Sequence, residues 1–151
     1  MDSIIQGIAI YALPVIFAIT LHEAAHGYAA KHFGDFTAHN EGRISLNPIR
    51  HIDPVGTILV PLSLFIISKI TMGAGFLFGW AKPVPVNFSN LRHPKRDMLW
   101  VAVAGPSANL LMAILWAIVI KLAIAVPESN LAKPAVLMGI AGIEINIILM
   151  V

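Results

Sequence analysis

Four apolar runs, 4–33, 55–72, 98–126 and 135–151, take up most of this 151-residue chain and decide the solvent in which it folds. A helix needs roughly 20 apolar residues to cross hydrocarbon, and each run is near or above that length. In lipid, backbone N–H and C=O groups find no water, so the spans must satisfy them internally as helices. Composition agrees: 58% of residues are hydrophobic, 12% are charged and the mean hydropathy is +0.81, far more apolar than a soluble domain of this size. The expectation is an all-α integral membrane protein with about four transmembrane helices in one polytopic domain over 1–151. No room is left for a separate soluble domain.

The first run lacks a basic leader and continues unbroken to about Phe33, which makes it a retained first span and not a cleaved signal peptide. Pro14 and Pro61 predict kinks in the first and second runs. Between them, 34–54 is polar, with turn formers at Asn40-Glu41-Gly42 and Asn47-Pro48; Arg43 to Leu46 is expected to form a short surface hairpin or edge strand. Gly73 to Phe88 holds too many glycines and prolines for a regular helix and reads as a re-entrant or interfacial loop, which at membrane depth must be covered by protein or water. It could pair with an extended substrate strand. With four alternating spans, Lys and Arg divide evenly between the two sides and leave the orientation open.

Charge and cysteine content narrow the chemistry. The net charge of +2 comes from ten basic and eight acidic residues scattered through the loops, with no basic tract to neutralise phosphates, which argues against nucleic acid as a partner. Cysteine is absent. Any metal must therefore be held by His, Asp or Glu.

Against this apolar background stands FAITLHEAAHGYAAKHF, residues 17–33, with His22, Glu23 and His26 inside a span. Intramembrane ionisable groups are costly and usually functional. At about 100° per residue, His22 and His26 lie roughly 40° apart on one face and one turn apart along the axis, within reach of a single ion. This is the H-E-x-x-H arrangement: two histidines hold zinc and the uncoordinated glutamate serves as base toward water that the metal has acidified. Amide hydrolysis is the chemistry implied. The alternative is a hydrogen-bonded polar patch tying helices together, but a buried glutamate costs several kcal/mol unless paired or used. His51 and Asp53 in RHIDP are the nearest candidates for a further ligand or a site-lining role, although Asp53-Pro54 equally reads as the cap and first turn of the second span. Asn109, inside the third run, is a candidate contact for substrate or a developing oxyanion; an interhelical hydrogen bond is its structural alternative.

The chain resembles the site-2 protease family, the intramembrane zinc metalloproteases, in the small form without a PDZ domain. The resemblance is carried by LHEAAHGYAAKHFGD at 21–35, GRISLNPIRHIDPVGT at 42–57, GWAKPVPVN at 79–87 and AGPSANLLMA at 104–113. It implies cleavage of a peptide bond in or next to a transmembrane segment of a membrane-protein substrate, with His22 and His26 as Zn2+ ligands, Glu23 as catalytic base and Asn109 near the site. It places the protein in the lipid bilayer as a multi-pass protein of the cell membrane. The family's third ligand is an aspartate in an Asp-Gly pair on a later helix. No Asp-Gly occurs in these residues, and GIAGIEINIILMV at 139–151 resembles the lead-in to that motif. The expectation is a protease core lacking its C-terminal part, inactive by itself. Two other classes compete: an inactive scaffold that binds membrane helices, and a metal transporter, which would repeat acidic or histidine residues at several depths. Sequence leaves the substrate and the oligomeric state undetermined.

Overall fold

The computed structural model describes residues 2–73 and 79–150. Helix α1 spans Asp2–His32 with Pro14 inside it. It ends where Gly34 takes φ 106°, a conformation that costs glycine little. Asp35 N–H then reaches Ala30 O at 2.9 Å and Gly34 N–H reaches Lys31 O at 3.2 Å, the paired bonds of a Schellman cap. The same device recurs after the short helix α2, Thr37–Asn40: Gly42 has φ 62°, and Arg43 N–H bonds Ala38 O at 2.8 Å.

That second cap corrects one expectation. The hairpin anticipated over Arg43 to Leu46 does not form, and among the described residues there is no strand. The N–H that would open a ladder at Arg43 is already used to close α2. The chain continues through a 3-10 turn, Pro48–His51, into a π-helical turn, Pro54–Leu59, and then α3, Val60–Met72. Asp53 caps the π turn by accepting from Val55 N–H at 3.0 Å and Gly56 N–H at 2.6 Å. Proline at 61 has no N–H for the carbonyl one turn earlier, which accounts for the widened turn before α3.

Pro54–Met72, Pro94–Ala125 and Ala132–Met150 are long and apolar enough to cross a membrane. The expectation of four spans is thus met for three. The first apolar run lies in the 31-residue α1, whose second half carries the His/Glu cluster. Helix α4, Pro94–Ala125, packs on both α1 and α5, Ala132–Met150, and α1 also packs on α5. Close approach of α4 and α5 depends on small residues: a Cβ on Gly142 would stand 2.5 Å from the Trp116 ring, and one on Gly139 would overlap Ile120. Among the described residues, α3 packs against none of α1, α4 and α5.

The anticipated irregular loop is observed over 79–87; its part at 74–78 lies outside the described residues. From Trp80 to Arg92 the chain runs along α1 in the same direction. Trp80 and Ile19 line one cavity, Val84 meets Glu23, Asn87 N–H bonds the Asp35 carboxylate at 2.6 Å, and Arg92 N–H bonds Phe33 O at 3.0 Å. Ala30, Leu91 and Val101 close a small core here, with Phe33 and Val86 packed against it. The loop after α3 therefore returns to the end of the bundle where α1 finishes, contrary to strict alternation of the four runs.

Candidate metal centre

His22 and His26 project from α1 toward α4, and the two imidazoles meet edge to face with centroids 4.7 Å apart. Their Nε2 atoms are 3.0 Å apart. A single carbonyl decides the protons. Val101 O can only accept, so the 2.6 Å contact from His26 Nδ1 requires Nδ1–H, and neutral His26 then presents a lone pair at Nε2. His22 Nε2 faces that lone pair, and on its far side His22 Nδ1 lies 3.1 Å from the Asn109 amide Nδ2. The contacts run Asn109, His22, His26, Val101. Asn109 is fully buried, and among the described residues its Oδ1 has no hydrogen-bond partner.

The close approach of both imidazoles to α4 depends on Gly105. A Cβ there would overlap His26 Nε2 and stand 2.6 Å from His22 Nε2. Gly105 and Val101 were not foreseen as site residues. The G-P-x-x-N spacing held the one available signal, since it puts Gly105 and Asn109 one turn apart on the same face of α4. Two imidazoles converging on a glycine notch suit zinc, whose usual donors include histidine nitrogen. They supply two donors, and among the described residues no group of three or more His, Asp or Glu could hold a metal ion.

Glu23, next to His22 in the chain, reaches the loop, where its Oε2 accepts from Val84 N–H at 2.7 Å. The loop is fastened at alternate residues. Trp80 N–H goes to Gly56 O at 3.0 Å and Lys82 N–H to His51 O at 2.9 Å. The Lys82 carbonyl accepts from the buried Arg43 guanidinium at 2.9 Å, and the Trp80 carbonyl accepts from Thr57 hydroxyl at 2.8 Å. The intervening positions 83 and 85 are prolines, so the opposite edge has no N–H to offer there. Strand pairing by a substrate along that edge, expected from the sequence, would lack these donors.

His51 and Asp53 are not brought to the histidine pair. Asp53 is the cap described above. His51 is buried, donates Nε2–H to Ser45 O at 2.8 Å, and lines a cavity of about 300 Å3 with Val15, Ile19, Pro48 and Ala81. Beside the pair, between α1 and α4, lies an apolar groove of about 290 Å3 bordered by Leu21, Ala25, Tyr28, Leu46, Ala108 and Leu111.

Asp35 is the strongest polar anchor near the site. Burial pushes its carboxyl up, but the Thr37 hydroxyl and N–H, the Asn87 N–H and the Asn90 amide together outweigh burial and hold it below the ordinary carboxylate value. The result is a fixed junction between the end of α1 and the loop that reaches Glu23.

Two curated proteins resemble this chain. One, named "Putative zinc metalloprotease YwhC", from Bacillus subtilis, is 44% identical over 101 residues, covering 67% of this chain and 40% of that protein. The other, "Putative zinc metalloprotease Rip2" from Mycolicibacterium smegmatis, is 26% identical over 100 residues, covering 66% of this chain and 35% of that protein. No family model matches, and neither does any solved structure. The chain spans about two fifths of the length of the first relative, and both relatives carry a zinc metalloprotease name.

Proposed function

We propose that this chain is the core of a zinc-dependent intramembrane endopeptidase of the site-2 protease family, which hydrolyses a peptide bond in or next to a transmembrane segment of a membrane protein. The observation that carries the reading is the facing pair of Nε2 atoms of His22 and His26, 3.0 Å apart, over the notch at Gly105. Zinc held there would acidify water and polarise the scissile carbonyl. Glu23 takes the proton, and its bond to Val84 N–H fixes the carboxylate beside the pair without occupying either imidazole. The groove between α1 and α4 receives the apolar substrate segment, because its small residues Ala25 and Ala108 adjoin His26 and Asn109 in the chain. Helix α1 crosses the bilayer as the fourth span.

Zinc content after dialysis, together with cleavage of a membrane-embedded reporter in the same detergent, tests the proposal. The complete protein is expected to hold zinc and cleave; in it, His22→Ala and His26→Ala are expected to lose both. Full zinc occupancy in both variants would overturn it.

A further inference from the structure

One peptide group lies between two charged side chains. The Pro83 carbonyl accepts from the Arg43 guanidinium at 3.3 Å, and the Val84 N–H, at the other end of the same peptide bond, donates to Glu23 Oε2 at 2.7 Å. The bond is trans, so its C=O and N–H point in opposite directions. Arg43 therefore stands at the negative end of the peptide dipole and Glu23 at the positive end. Each contact polarises the group in the sense that strengthens the other.

We infer that Arg43 is a positioning residue for Glu23: through the Pro83–Val84 peptide it aims the Val84 N–H at the carboxylate, which holds Oε2 against the loop and leaves Oε1 to take the proton. This inference rests on the role of Glu23 as base proposed above. Three observations support it. The Arg43 nitrogen that reaches Pro83 O also donates to Lys82 O at 2.9 Å, so two successive carbonyls are pinned, and prolines at 83 and 85 restrict the backbone on both sides of Val84. Gly27, one turn beyond Glu23 on α1, seats both partners: a Cβ there would stand 2.9 Å from Ile44, the neighbour of Arg43, and 3.2 Å from Val84. Arg43 is buried, and a buried cation is costly unless an opposing charge or hydrogen bonds offset it; the two carbonyls are neutral, and the carboxylate across the peptide supplies the opposing charge.

The consequence is a loss of turnover without loss of metal. Arg43→Met keeps an apolar stem and removes both bonds to the loop. The Val84 amide should then lose protection from hydrogen exchange, and kcat should fall by up to about 100-fold because the carboxylate is misplaced, with zinc content and KM close to wild type. Arg43→Lys restores the cation and should recover part of kcat. Val84→Pro deletes the N–H, leaves both acceptors of Arg43 in place and should lower kcat as Arg43→Met does. On a Glu23→Gln background Arg43→Met should cause no further loss, since the group it acts through is already gone. A residue that only fastened the loop, for folding or for substrate binding, would instead raise KM or lower zinc content, and its effect would add to that of Glu23→Gln.

The experiment measures zinc content, kcat and KM for a membrane-embedded reporter, and hydrogen exchange at the Val84 amide, in the complete protein in detergent. It compares wild type, Arg43→Met, Arg43→Lys, Val84→Pro, Glu23→Gln and the Arg43→Met/Glu23→Gln pair. If Arg43→Met fails to fold, Val84→Pro carries the kinetic test. Wild-type kcat in Arg43→Met or Val84→Pro, unchanged Val84 exchange in Arg43→Met, or a further loss on the Glu23→Gln background overturns the inference while leaving the zinc reading intact. Absence of zinc and cleavage in wild type overturns the proposed function instead, and the Val84 exchange still decides whether Arg43 governs the bond to Glu23.

Discussion

Val84 N–H donates a 2.7 Å hydrogen bond to Glu23 Oε2, joining α1 to a loop 61 residues further along the chain. Glutamine keeps an oxygen at that position to accept the same bond, so Glu23→Gln should preserve the fold of the loop and the zinc content. It removes the base. Cleavage of a reporter substrate should fall by about 100–10,000-fold, the range expected for general-base catalysis. Loss of zinc along with activity would show that Glu23 is a ligand.

Gly105→Ala tests the notch. Gly105 is helical and has no positive φ, so alanine should favour the α4 backbone by up to about 1 kcal/mol. Its Cβ, however, would overlap His26 Nε2 and crowd His22 Nε2. The expected outcome is a folded protein, by helical content and thermal melt, that has lost zinc. Undiminished zinc content would show that the ion does not sit against α4.

Asp35 should make stability depend on acid pH. Its folded-state pKa lies below the unfolded value of 3.8, because the hydrogen bonds from Thr37, Asn87 and Asn90 to the ionised carboxylate outweigh its burial. A depressed value means that the stabilisation is complete above 3.8 and is lost as pH falls through the folded-state value. Asp35→Asn should lower stability at neutral pH by on the order of 1–3 kcal/mol and flatten this acid-dependent loss. Parallel melting curves of the two proteins across that window would count against the carboxylate as the anchor.

The return of the loop to the end of α1 sets an orientation. Arg92, Lys95 and Arg96 are exposed, Lys31 is half-buried, and all four cluster with the α1 terminus. Only Glu41 among nearby exposed acids opposes them. The other end exposes Glu128 with Lys121 and Lys133, a smaller positive excess. The positive-inside tendency then puts the Arg92 end in the cytoplasm. Because the chain has no cysteine, Ser89→Cys and Ser129→Cys each give a single thiol. A membrane-impermeant maleimide should label position 129 in intact cells and position 89 only after permeabilisation; the reverse pattern would invert the assignment.

Local chemistry was legible in the amino-acid sequence by itself. The apolar runs predicted three helices now seen to be long enough to span. The i, i+4 spacing put His22 and His26 on one face, and Asp53-Pro54 marked the start of the second apolar run. Prolines at 83 and 85 kept the 79–87 segment out of regular structure. Each of these follows from geometry acting over a few residues. Tertiary structure alone decided what the histidines touch. Val101 lies 75 residues from His26, and Asn109 lies 87 residues from His22. A backbone carbonyl such as that of Val101 is carried by every residue and leaves no mark in the sequence. The notch at Gly105 exists only because α4 crosses α1 there. The hairpin failed for a related reason: the capping bond at Gly42, formed with α2, took the N–H that strand pairing needed. His51 was likewise kept from the pair by its bond to Ser45, since a flexible-looking segment goes wherever its own polar groups are satisfied.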